Sequence, residues 1–194
     1  MTTLIYKKMS IEDLVSHSQK NDFKALEELI KREQKNVYAT FSYLSKNKEN
    51  VADLTQEALL RIAKNITTLK NPKNYKSWQN QIITNLFYDE LRKKQKRPDL
   101  LSLDNEDQQA TIKWQLLDNK CKPNEKCLIG ELEEIIKNAI QDLPTQFRIA
   151  IILRELQGLT YDEIAEATNT SIGTVKSRIA RAREKLQEGL KSYI

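Results

Sequence analysis

Glycine and proline are scarce in this sequence, with four of each in 194 residues. A strand-rich chain of that length draws on both residues for its many tight turns. With so few of them, and with Leu, Ile, Glu, Lys and Gln abundant, the expected fold class is all-α. Cysteine is scarcer still, at two residues, Cys121 and Cys127. Two cysteines argue against a disulfide scaffold and read as reduced thiols. The single histidine, His17, lies far from both in sequence, so no metal site is expected. The opening MTTLIYKKMS lacks the apolar core of a signal peptide. No run approaches the roughly 18 apolar residues of a membrane span. A cytoplasmic chain without membrane insertion is therefore expected. The sequence also lacks a glycine-rich phosphate loop, a metal cluster and an activated nucleophile. An enzyme is not expected, and neither catalytic residues nor cofactors are assigned.

What is present is patterned charge. The chain carries a net +5 and a pI near 9.0. The stretch from Pro98 to Glu134 holds nine acids against four lysines, a net −5, which leaves +10 for the rest. A basic protein favours a polyanionic partner, and here an acidic middle divides two basic halves.

Helical periodicity follows the same division. Ser10 is a candidate N-cap for a helix carrying Ile11, Leu14 and Val15, and Asn21-Asp22 breaks that helix and caps the next. Ala25, Leu26, Leu29, Ile30, Val37, Tyr38, Phe41 and Leu44 recur at helical steps. A third helix is expected from about Val51 to Leu69, ended by Asn71-Pro72. A fourth starts near Lys76 or Ser77 and runs into the basic stretch Arg92–Arg97. The period is lost from Pro98 and returns at Leu128. Three parts follow: a helical domain over 1–97, a flexible acidic linker over 98–127, and a second helical domain over 128–194.

The second domain carries a helix-turn-helix between Thr160 and Ala182. Thr160 and Glu163 form a capping box. Ala165 is small where two helices must cross, and Ile164, Val175 and Ile179 are placed to lock the pair. Asn169 is the residue that tolerates a left-handed backbone at the turn. Ser171 caps the final helix, which presents Thr174, Lys176, Ser177, Arg178, Arg181 and Arg183. Such a helix suits a major groove, with base edges read near its start and phosphates held by its cations.

In the first domain, Asp53, Gln56, Glu57 and Arg61 share one polar helical face, opposite Leu54, Ala58 and Ile62. Trp78, Asn85, Asp89 and Arg92 recur along one stripe of the fourth helix, with Lys93 and Lys96 beyond. An aromatic ring beside amide, acid and cation suits unpaired bases, which stack and hydrogen-bond together.

With these residues on the page, the chain resembles the extracytoplasmic-function sigma factors of bacterial RNA polymerase over about residues 10–97 and 128–190. Asp53-Leu54-Thr55-Gln56-Glu57 looks like that family's polymerase-binding helix. Tyr75 to Arg92 looks like the part that captures the unwound −10 promoter strand, and the segments Gly158–Ala165 and Gly173–Arg183 look like its −35 reader. Gln79, Gln81 and Ile83 depart from the family's usual residues, as does Asn169 in place of glycine. The resemblance implies a factor that directs core RNA polymerase, through its beta-prime and beta subunits, to promoter DNA. It also implies an anti-sigma partner, and a linker that threads the polymerase's basic channels. An acidic tether of this length can span the roughly 70 Å between promoter elements about 20 base pairs apart. A helix-turn-helix regulator that binds duplex without polymerase is the alternative.

Overall fold

The computed structural model describes residues 3–47, 49–95, 125–191 and 193. Lys96, most of the acidic linker and Cys121 lie outside the described residues. Among the described residues every regular element is helical. None of those helices is long and apolar enough to cross a membrane.

The first lobe holds α1 (Thr3–Tyr6), α2 (Ile11–Ser18), α3 (Phe23–Leu44), α4 (Glu49–Asn65) and α5 (Tyr75–Gln95). The caps are the expected ones. Ser10 Oγ accepts from the Asp13 amide at 3.1 Å. Asn21 takes φ 65°, which stops α2, and Asp22 accepts from the amides of Lys24 and Ala25. Side chains at helical spacing on α2, α3, α4 and α5 then meet in one interior, with Leu14, Leu29, Phe41, Ala58, Ile62 and Ile83 almost fully buried. Helix α4 stops earlier than its apolar pattern predicts. The Gln19 amide donates to the carbonyls of Ile66 and Leu69 at 3.0 and 2.6 Å, and Ile66–Thr68 tightens into a 3-10 turn.

The second lobe holds α6 (Glu125–Gln141), α7 (Thr145–Ile151), α8 (Tyr161–Thr168) and α9 (Ile172–Leu190). Helix α6 begins three residues before Leu128, where the apolar period resumes. A π-helical turn, Ile152–Leu156, extends α7 and was not anticipated from the spacing. It carries Gln157 inward before Gly158, at φ 65°, ends the segment. The helix-turn-helix forms as its sequence dictates. Thr160 and Glu163 make a reciprocal capping box, Asn169 is left-handed at φ 51° and ψ 48°, and Ser171 accepts from the Thr174 amide. Ile164, Val175 and Ile179 are buried between α8 and α9, and Ala165 sits at 9% exposure in the same interior.

The two lobes pack against each other. Helix α8 lies along α5, while α6 and the π-helical turn rest on α3. Buried apolar residues of both lobes join in one continuous cluster.

The turn at Asn169 gives a direct check. A left-handed backbone disfavours a Cβ-bearing residue by about 1–2 kcal/mol, a penalty that Asn and Gly largely escape. Asn169→Ala is expected to lower unfolding free energy by about 1 kcal/mol, and Asn169→Gly by less, in denaturant titrations.

Candidate nucleic-acid interface

Helix α5 is enclosed on two of its three sides. At 100° per residue, Tyr75, Gln79, Ile83 and Leu86 fall on one side. This side faces the first lobe's interior: all four are buried. Burial pushes the Tyr75 hydroxyl well up, with the Glu33 carboxylate of α3 adding to the shift. Ser77, Asn80, Thr84 and Tyr88 fall on a second side. The first three are buried. Tyr88, where burial also raises the hydroxyl pKa, feels the opposing positive charge of Arg178 from α9. Helix α8 is the element of the second lobe that packs most extensively on α5.

The third side holds the predicted stripe. Trp78, Asn85, Asp89 and Arg92 cluster around one direction of the helix. Asn85, Arg92 and Lys93 are exposed and Asp89 is half-exposed. Trp78 does two things at once. Its ring is half-buried against the core and stands 6.1 Å from the Tyr75 ring at 43°.

Helix α4 brings the other predicted set alongside. Asp53, Gln56 and Glu57 are exposed and Arg61 is half-exposed, while Leu54, Ala58 and Ile62 are buried behind them. A relay of ion pairs joins the two helices. Arg61 pairs with Glu57 at 2.8 Å and with Asp89 at 4.0 Å, and Asp89 pairs with Arg92 at 2.6 Å. Asn50 donates to Glu90 at 2.9 Å further along the same groove, whose volume is about 760 Å³. Part of each set read separately in the sequence therefore lines one groove: Asp53, Glu57 and Arg61 from α4 and Asp89, Arg92 and Lys93 from α5, while Gln56, Trp78 and Asn85 lie outside its lining. No sequence signal pairs Arg61 with Asp89, because 28 positions separate them and only the α4–α5 crossing brings them together.

On α9, Lys176, Ser177, Arg181 and Arg183 are exposed, and Thr174 and Arg178 are half-buried. Several are already engaged. The Thr174 hydroxyl shares a hydrogen bond with Ser171, and Ser177 Oγ donates to the Thr174 carbonyl. The Lys176 ammonium stands 5.9 Å from the centre of the Tyr161 ring, and the Arg154 guanidinium stands 4.9 Å from it. Arg183 binds Glu155 at 2.6 Å, a hydrogen bond and charge that hold its guanidinium above its ordinary pKa.

This architecture can be placed among known proteins. The Sigma-70 region 2 family model matches residues 29–97, and the Sigma-70 region 4 model matches residues 133–186. The chain is 32% identical over 144 residues to the ECF RNA polymerase sigma-E factor of Haemophilus influenzae, covering 73% of this chain and 75% of that one. It is 34% identical over 148 residues to the ECF RNA polymerase sigma factor SigW of Bacillus subtilis, covering 75% and 78%. The chain belongs to the ECF sigma factors of RNA polymerase. Among solved structures, the sigma factor RpoE in complex with the anti-sigma factor NepR from Bartonella quintana has a TM-score of 0.65 at 27% identity, covering 88% of this chain and 97% of that one. The structure of CnrH with the cytosolic domain of CnrY has the same TM-score at 18% identity, covering 94% and 97%, and shares the fold.

Two buried polar residues of this sigma factor escaped the sequence reading. Arg148 and Gln157 are 4% and 2% exposed and both reach the other lobe. Arg148 interrupts the apolar run Phe147–Ile152, a position where a lone cation signals a specific partner, and that signal was available.

The relay in the groove is half-exposed, and such pairs contribute little to stability. A double-mutant cycle of Arg61→Ala and Asp89→Ala is expected to give a coupling energy below about 1 kcal/mol in thermal or denaturant unfolding.

Proposed function

We propose that this sigma factor grips core polymerase and the melted −10 strand with neighbouring faces of its first lobe, and −35 duplex with its second. The observation that carries the reading is the shared groove. Asp53, Glu57 and Arg61 of α4 line it together with Asp89, Arg92 and Lys93 of α5.

On this reading Asp53, Gln56, Glu57 and Arg61 dock on the beta-prime subunit of core polymerase, and the beta subunit is contacted elsewhere. Trp78 supplies a stacking surface for an unpaired base. Asn85 and Asp89 offer hydrogen bonds to base edges, while Arg92, Lys93 and Lys96 neutralise phosphates. Thr174, Lys176, Ser177, Arg178, Arg181 and Arg183 serve the −35 duplex, with Thr174 and Ser177 nearest the helix start, where base edges are read. No bond is made or broken by the chain, and it acts in the cytoplasm. An anti-sigma partner fits the reading, since the similar RpoE was solved with one.

Three measurements test it. Gln56→Ala with Glu57→Ala removes two exposed side chains, so folding should be unchanged while retention on purified core polymerase falls about tenfold or more, as for loss of about 1.4 kcal/mol of binding. Retention equal to the unaltered chain would contradict the polymerase assignment. For the −35 duplex, Arg181→Ala should reduce the slope of log affinity against log salt by about 0.9. Arg183→Ala should reduce it by less, because Glu155 competes for that guanidinium. Trp78→Ala should weaken binding of the holoenzyme to single-stranded −10 DNA by about 1–3 kcal/mol, read by fluorescence anisotropy.

A further inference from the structure

Helix α9 opens with an apolar side chain turned to solvent. Ile172 is 41% exposed, and among the described residues it is the one large apolar side chain of α9 left exposed. It directly follows the Ser171 cap, whose Oγ accepts from the Thr174 amide at 3.1 Å. The polar neighbours are engaged within the chain. The Thr174 and Ser171 hydroxyls share a hydrogen bond at 2.9 Å, and Ser177 Oγ donates to the Thr174 carbonyl at 3.0 Å. Lys176, one turn on and on the same side as Ile172, leans over the Tyr161 ring at 5.9 Å. A contact from Ile172 to a base requires none of these interactions to break.

Gly173 comes next, and nothing within the chain calls for glycine there. Its backbone lies outside the left-handed region that Gly158 occupies. A Cβ at Gly173 would meet nothing nearer than Ser171 Oγ, at 3.9 Å. Glycine weakens a helix relative to alanine, so the free chain gains nothing from it. Gly173 lies on the side of α9 turned away from the buried Val175, Ile179 and Ala182. A bare Cα on that side lets an outside surface come close to the backbone. At the start of a helix suited to a major groove, such an approach brings the neighbouring Ile172 to the base edges.

We propose that Ile172 is a specificity-determining residue of α9 that reads the 5-methyl group of a thymine in the duplex, with Gly173 permitting the approach. Thymine alone carries a methyl group on its major-groove edge, where the other three bases present hydrogen-bond donors and acceptors. An apolar side chain therefore favours thymine over cytosine, adenine and guanine at the position it meets. Two features of Ile172 suit it to this contact. Its branched Cβ restricts the first side-chain torsion, and the Ser171 cap fixes the backbone on which it stands. The inference rests on the −35 reading of α9 and adds the base feature that the reading leaves open.

The test uses holoenzyme assembled from core polymerase and the full chain. Its probe is a −35 duplex taken from a promoter mapped by run-off transcription. Each thymine of that element is replaced singly by deoxyuridine, which removes the methyl group and keeps the hydrogen-bonding edge. One position should lower affinity about two- to fivefold in fluorescence anisotropy, the effect of one buried methyl. Ile172→Ala should bind thymine and deoxyuridine equally at that position, with helix content unchanged by circular dichroism, while Ile172→Val keeps the discrimination. Gly173→Ala should keep or raise thermal stability and weaken duplex binding about threefold or more. The methyl reading is overturned if every deoxyuridine duplex binds as the parent does, or if the effect persists undiminished in Ile172→Ala. Either result leaves the −35 assignment standing. Unchanged binding by Gly173→Ala overturns the close approach that brings Ile172 to the base. Holoenzyme that binds equally when the whole −35 element is scrambled overturns the −35 reading, and the proposal with it.

Discussion

A helix buried along two sides has one side left for work, and α5 is such a helix. Tyr75, Gln79, Ile83 and Leu86 are buried on one side of it and Ser77, Asn80 and Thr84 on another, and α3, α4 and α8 pack on it. Trp78, Asn85, Asp89 and Arg92 are left on the remaining face, in fixed register and rigidly supported. A site carried on a packed helix holds its geometry better than one carried on a loop. The Trp78 ring depends on this support, since it is half-buried against the core. Ser77, Gln79, Asn80 and Thr84 of α5 are polar and buried, and Gln79 Nε2, Asn80 Oδ1 and Thr84 Oγ1 have no hydrogen-bond partner among the described residues.

The joining of α4 and α5 follows from the same packing. Leu54, Ala58 and Ile62 hold α4 against the interior, which turns Asp53, Gln56, Glu57 and Arg61 outward beside the stripe. Arg61 then meets Asp89 across the groove. The pair is half-exposed and costs little to break, so either partner is free to exchange it for a stronger contact. On the proposed function, the polymerase-binding and DNA-binding faces would share this ion-pair relay and be physically coupled through it.

Local features of the fold were largely legible in the sequence. Ser10, Asp22, Thr160, Ser171, Asn169 and Gly158 each announce a helix boundary through backbone chemistry, and each sits where that chemistry places it. The exposed polar faces of α4 and α9 were legible for a similar reason, because helical spacing fixes which residues share a side. The π-helical turn was not legible. Its extra residue leaves the apolar pattern intact and shows in hydrogen bonds such as the i to i−5 bond from the Gln157 amide to the Ile152 carbonyl at 3.1 Å. The docking of the lobes was not legible either. It rests on donors such as Gln141 and Arg148 meeting carbonyls about a hundred residues away, and backbone carbonyls carry no sequence signature. An acidic linker between two basic halves reads as a spacer, and composition alone is silent on whether the parts it joins stay apart.

The account stands most directly on promoter-specific initiation. Purified core polymerase should be supplied with genomic fragments, with and without this chain, and run-off transcripts mapped. New start sites that appear only when the chain is added are the expected result. A transcript pattern identical with and without the chain, under conditions where core polymerase is active with another sigma factor, would contradict the account.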